Sequence, residues 1–363
     1  MTALDGVEIG LGVVLTAITL FDVFQSVVFP RPSVGRVQLS VNLVRLTWRV
    51  WRAVAQKPHK LQTREAALAA FAPLAVVGLL VLWGLLIIIG YALIFSGLHN
   101  GLSPQPDSFG TTLFFSAGRM LAFSVGGIEA NDIPTRILTS LEAATGFGLF
   151  ALVISLLFSL FSAFQRREAA VVALDAIAGA PASGLQLLET CAKDDLAPQL
   201  AVTFDEWRVW SVDVLETHLT YPLLFFFRSS HDNEAWANSF GAVMDAAVLV
   251  ISTIDGGPVG HARLLHKVGS HLVADMRHYY YRGVHGDLPG VERDEFVAAC
   301  DRLQRAGYRL RDTDEAWKEF STLRGRYAPW LNEMTKGLAI PPAPWIGDRS
   351  YLPHRERGAR RRP

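Results

Sequence analysis

Cysteine is almost missing from this chain. Cys191 and Cys300 are the only two among 363 residues. Two isolated cysteines provide neither a disulfide framework nor a metal-ligand spacing, and they fit a reducing compartment. Charge of one sign is also not in excess, because 34 basic side chains balance 34 acidic ones. No global field therefore points to nucleic acid. Strand-like alternation never persists, and no Gly-x-Gly-x-x-Gly follows a strand, so a nucleotide-binding domain has no support. No nucleophile stands beside a base, and no paired acids or metal spacing stand out, so an enzyme is not expected. A cleavable leader lacks its marks as well. Asp5 and Glu8 occupy the place of a basic start, and Phe29-Pro30-Arg31 is no small-residue cleavage site. Residues 6–29 read as a retained span.

Charge is absent in one more place. From Ala66 to Leu98 there is no Asp, Glu, Lys or Arg. Hydrophobic residues make up 50% of the chain, and they gather before about residue 165. Three segments meet the length of about 20 apolar residues that a bilayer demands. They are Val7 to Phe29, a stretch within Ala66 to Leu98, and Ile137 to Phe164, where Glu142 is the single charge. The fold class expected is an all-α membrane protein with a helical cytoplasmic domain.

Basic residues orient the spans. Arg31, Arg36, Arg45, Arg49, Arg52, Lys57, Lys60 and Arg64 follow the first span, with no acid before Glu65. Arg166 and Arg167 follow the third. Between the second and third, Arg119 stands beside Asp107, Glu129 and Asp132. The N-terminus is expected outside the cell membrane and the C-terminal half in the cytoplasm. In the linker, Val37, Val41, Val44, Trp48, Trp51 and Val54 recur at helical steps, interleaved with Arg45, Arg49 and Arg52. That pattern suits a helix in the inner interface, with tryptophans at headgroup depth; an ordinary amphipathic helix packed on the soluble part is the other reading. The divisions expected are 1–35 (first span), 36–64 (linker helix), 65–165 (second and third spans with their loop), 166–335 (helical domain) and 336–363 (flexible basic tail). The tail has five arginines after His354, and anionic lipid is its candidate contact.

The loop between spans two and three is distinctive. Pro104 and Pro106 break the chain, and Asp107 or Ser108 can cap a short helix over Phe109 to Leu121. This segment enters a bilayer but is too short to cross it. Ser124-Val125-Gly126-Gly127 follows. Thr112-Leu-Phe-Phe-Ser-Ala117, the turn near Gly126, and Arg136 through Gly148 resemble the pore region of bacterial two-transmembrane-type potassium channels. Phe21-Asp22-Val-Phe-Gln-Ser-Val27, Tyr221-Pro222 and Phe227-Arg-Ser-Ser-His-Asp-Asn233 are similar to one bacterial subgroup of them.

The resemblance implies a potassium-channel-like pore domain of three spans plus a re-entrant pore helix. It implies a homotetramer that conducts potassium or another monovalent cation, with no cofactor. The filter would be Ala122, Phe123, Ser124, Val125, Gly126 and Gly127. This filter departs from the family pattern: Ala122 replaces the threonine, Ser124 the first glycine and Gly127 the aspartate. A non-glycine residue in the left-handed region costs about 1 kcal/mol or more. A second register starts at Ser124-Val125-Gly126 and puts Ile128 where the second glycine belongs. Selectivity is therefore open, and a non-conducting sensor or scaffold acting through its cytoplasmic helices is the alternative function.

Four further positions stand out. Arg119 lies one turn before Ala122, and a charge at that depth calls for a partner; Glu142 and Glu129 are the candidates, with Arg119 and Glu142 expected to brace the filter. Gly146 and Gly148 in the third span serve either a gate hinge or close helix packing. Asp22 is an intramembrane acid that either pairs with a linker arginine or caps the linker helix. In the C-terminal half, helices are expected over 184–191, 198–219, 233–253, 258–282 and 293–324. His261, His266 and His271 recur every five residues, a spacing that drifts around a helix and suits shared metal ligation poorly. The cytoplasmic regulator is not specified by any motif.

Overall fold

A computed structural model describes residues 2–27, 39–57, 61–121, 123, 127–229, 235–280 and 290–340. The chain is mostly helical. It separates into two compact units, one of Met1–Ser162 with Thr220–Leu224, the other of Ala163–Leu219 with Phe225–Pro363.

The first unit is built on α1 (Ala3–Val27) and α4 (Phe71–Gly97). Glycine lets these two backbones touch. A Cβ on Gly12 would lie 2.5 Å from the Gly90 carbonyl oxygen, and one on Gly97 would lie 2.6 Å from that of Asp5. Small residues at such crossings are what allow helices to pack without large side chains between them. Between these helices run α2 (Leu39–Ala55) and α3 (Leu61–Ala69). Pro73 has no N–H to offer the Ala69 carbonyl, and the break between α3 and α4 falls there. Trp48 of α2 meets Phe71 edge-on at 4.9 Å, and the Trp51 indole N–H donates to the Ala67 carbonyl at 2.8 Å. Both tryptophans therefore turn toward protein.

The unit continues through β1 (Leu102–Ser103), α5 (Phe109–Met120), β2 (Glu129–Ala130) and the start of α6 (Ile133–Ala178). Trp83, Ile87, Tyr91, Phe95, Phe115, Ile128 and Leu149 form its core. Among the described residues, three helical stretches are long and apolar enough to cross a membrane: Ala3–Val27, Thr63–Gly97 and Ile133–Ala178.

The second unit takes the end of α6 and then α7 (Gly184–Lys193), α8 (Ala197–Thr220), α9 (Trp236–Ser252), α10 (Val259–Tyr280), α11 (Arg293–Arg305), α12 (Thr313–Arg324) and α13 (Ala328–Gly337). Every residue of α9 is buried, and α7, α10, α12 and α13 pack around it. Inside this core Arg324 pairs with Asp245, its Nε donating to Oδ1 at 2.8 Å, and Tyr327 donates to the same carboxylate. Such a pair is a weak source of stability but costly to break, because a lone charge is then left buried. A second buried cation, Arg167, donates to Glu168, to His218 Nε2 at 3.2 Å and to the Phe227 carbonyl at 2.8 Å. The rings of Phe164 and Trp236 flank its guanidinium.

Two expectations for this half are revised. The single helix over 293–324 is two helices. Gly307 at φ +100° ends α11, the Tyr308 N–H returning to the Leu303 carbonyl, and Asp312 caps α12. The residues between pair with the end of α9, through an Ile254–Leu310 bridge. The expected boundary at 335 also moves, because α13 runs past it. Leu338, Ala339 and Ile340 are buried, and Arg228 donates to the carbonyls of Leu338 and Ala339.

Candidate functional site

The loop between α4 and α6 holds the residues singled out from sequence. Its two arms meet at the end of α4. Leu102 faces Ala130 and Ser103 faces Glu129 in an antiparallel pair, and the Asn131 N–H donates to the Gly101 carbonyl at 2.8 Å. The Arg136 Nε holds the returning arm by donating to the Ala130 carbonyl at 3.0 Å. Asp132 accepts from the Thr135 N–H at 2.9 Å and so caps α6.

From this junction α5 runs back alongside α4. Ser108 caps it by accepting from the Thr111 N–H. The Phe115 ring meets Phe95 edge-on at 5.2 Å, the Ser116 hydroxyl lies 2.8 Å from the Ile88 carbonyl, and the Met120 methyl reaches to 3.9 Å of a Cβ placed on Gly84. These α4 partners step from Phe95 back to Gly84, which at 1.5 Å per residue lies about 20 Å from the end of α4 at Gly97. The helix ends there with the Phe123 N–H on the Gly118 carbonyl at 2.8 Å, a bond that closes its last turn.

One polar node joins three helices. The Ser116 hydroxyl stands 2.5 Å from Glu142 Oε1 as well as beside the Ile88 carbonyl. Glu142 is fully buried, and its Oε2 has no hydrogen-bond partner among the described residues. The expected Arg119–Glu142 pair is corrected. The Arg119 side chain folds over the Phe115 ring, 4.9 Å from its centroid, and donates from Nη2 to the Ile128 carbonyl at 3.1 Å. That contact fastens the returning chain to α5. Glu142 is level with Ser116 instead, one helical turn from Arg119. Sequence signalled the acid and the arginine but not Ser116, which lies on the face of α5 that only packing selects.

The two glycines of α6 differ. A Cβ on Gly146 would lie 2.3 Å from the Met120 carbonyl oxygen, so close packing at the end of α5 demands glycine there. Around a Cβ placed on Gly148, nothing among the described residues lies within 4 Å. Of the expected filter, Phe123 is exposed and Gly127 adopts φ +65°. Ala122, Ser124, Val125 and Gly126 lie outside the described residues.

Asp22 is the junction of α1, α2 and α4. Its Oδ2 accepts from the Trp83 indole N–H at 2.9 Å, and its Oδ1 accepts from the backbone N–H and hydroxyl of Ser40, both at 3.3 Å. An acid at the first turn of α2 satisfies amides that would otherwise be unpaired. The three histidines of α10 diverge, His261 to Asp205, His266 to the Leu323 carbonyl and His271 to Asp275.

Comparison with family models, curated proteins and solved structures gives no match.

Proposed function

We propose that this chain is a potassium-channel-like integral membrane protein. It conducts a monovalent cation passively through a pore at the axis of a homotetramer. The observation that carries this reading is the path of α5. Its two flanks leave and return at one end of α4, and its far end lies about 20 Å along that helix. An apolar helix that dips about two thirds of the way into a hydrocarbon layer of about 30 Å, and comes back, is a pore loop rather than a span. One chain has one such loop, so a ring of copies is needed to surround a conduction path. Exposed Phe114, Phe147, Phe150 and Phe158 on α5 and α6 are apolar surface that neighbouring copies and lipid would cover. Backbone carbonyls after α5 would take the place of the ion's hydration shell.

Purified protein in liposomes tests this by potassium and sodium flux. Cation flux is expected, and Ser124→Gly combined with Ala122→Thr is expected to raise the potassium-to-sodium ratio. Unchanged ratios would refute the first filter register. Intact tetramers without flux at any pH or voltage would overturn conduction, leaving a sensor or scaffold.

A further inference from the structure

The node of Ser116, Glu142 and the Ile88 carbonyl has one proton too few if the acid is ionised. The Ser116 hydroxyl stands 2.8 Å from the Ile88 carbonyl oxygen and 2.5 Å from Glu142 Oε1. A serine hydroxyl has a single hydrogen to donate, and a carbonyl or a carboxylate can only accept. With Glu142 charged, one of the two contacts would set oxygen lone pairs against each other. With a proton on Oε1 the count closes: Glu142 donates to Ser116, and Ser116 donates to Ile88. The 2.5 Å separation alone suits either form, so the count decides. The surroundings point the same way. Glu142 is fully buried, and Oε2 has no partner among the described residues. A bare carbonyl oxygen of a neutral acid is tolerable there, whereas a bare carboxylate oxygen is strongly destabilising. Arg119, the cation one turn along α5, is engaged by the Phe115 ring and the Ile128 carbonyl. From Ala66 to Leu98 α4 brings no charge, and its Tyr91 hydroxyl meets Thr145. On α6 no other charge stands between Arg136 and Arg166.

We infer that Glu142 is a neutral carboxylic acid in the folded chain, and that the hydrogen-bond chain from Glu142 through Ser116 to the Ile88 carbonyl positions α5 between α4 and α6. Glu142 and Gly146 are four residues apart on α6, as Ser116 and Met120 are on α5. The two helices therefore meet twice on matching faces, through a hydrogen bond at Glu142–Ser116 and through close backbone contact at Gly146–Met120. The glycine contact has no direction of its own. The hydrogen bonds have one, and they fix the register of α5 and so the place where the chain leaves its last turn. An ionised Glu142 would take the Ser116 hydrogen, release Ile88 and leave a buried charge unpaired. Glu142 is thus a positioning residue that acts through Ser116. This role depends on the packing of the first unit alone and does not require conduction.

The test uses the full chain in detergent at neutral pH, followed by infrared absorption and by thermal unfolding. The wild type is expected to show the C=O stretch of a protonated carboxyl, and Glu142→Gln to lose it. Ser116→Ala is expected to shift that band, because the acid loses its acceptor. Glutamine keeps a neutral donor at the same reach, so Glu142→Gln is expected to hold the wild-type melting temperature to within about 2 °C. Glu142→Ala and Ser116→Ala are expected to lower it by about 4 °C or more. Should Glu142→Ala fail to fold, the infrared band and Ser116→Ala decide. No difference band between the wild type and Glu142→Gln, a band indifferent to Ser116→Ala, or a glutamine variant as unstable as Ser116→Ala would each overturn the proposal. An intact band in protein that passes no ion would count against conduction and for the neutral acid.

Discussion

His218 illustrates how one buried group sets a pH limit on the whole chain. Arg167 can only donate, so His218 Nε2 accepts and its proton sits on Nδ1, facing the Val214 carbonyl at 2.8 Å. Burial, with the Arg167 charge beside it, holds this imidazole well below the usual histidine pKa. The unfolded chain, with a pKa of about 6.5, takes up a proton that the folded chain refuses. Stability from this group is therefore complete above about pH 6.5 and is lost as the pH falls toward the folded value. Burial lowers His266 too, in the same direction. The unfolding temperature of the detergent-purified protein should fall between pH 7 and pH 5, and His218→Gln should flatten that fall. An unchanged slope in the variant would remove His218 from the explanation. Arg167 itself was legible only as a charge flanking a span. Nothing in the order of residues says that its guanidinium lies between Phe164 and Trp236.

Helices were legible where a single face or a cap defines them. Ser108 and the prolines before it mark the start of α5, and the uncharged run before Leu98 marks α4. Less legible were breaks that depend on distant partners. The segment from Gly307 to Asp312 leaves the helix because its backbone groups bond near Thr253 and Asp255, at the end of α9. The faces of α2 were legible only in part, since Val44 and Leu46 are equivalent in hydrophobicity and differ only in what stands beside them. At this scale the α1–α4 crossing makes a direct prediction. A Cβ on Gly90 would lie 2.3 Å from Thr16 Oγ1 and 3.2 Å from the Gly12 carbonyl. Gly90→Leu should force the helices apart and lower stability by about 1–3 kcal/mol, read as a fall in melting temperature in detergent. Gly148→Ala, with open space around it, should leave that temperature nearly unchanged. Equal effects of the two substitutions would refute the close crossing.

For the whole molecule, the proposed three-span reading puts the two ends on opposite sides, and the expected orientation follows from the basic residues. With Cys191 and Cys300 replaced by serine, Gln105→Cys should react with a membrane-impermeant maleimide in intact cells. Lys193→Cys should react only after permeabilisation. The reverse pattern would invert the orientation, and labelling of both in intact cells would overturn the three-span arrangement.

Composition and charge order alone determined that the chain is helical, that three stretches can cross a bilayer, and that a short capped helix lies between two of them. These are local properties, fixed by uncharged length, caps and prolines. Tertiary structure decided which polar groups meet. It sent Arg119 to the Ile128 carbonyl and Glu142 to Ser116, put Asp22 on Ser40 and Trp83, and pressed Gly146 onto the Met120 carbonyl. A buried donor or acceptor takes the partner that packing brings within about 3 Å, and sequence separation carries no information about that distance.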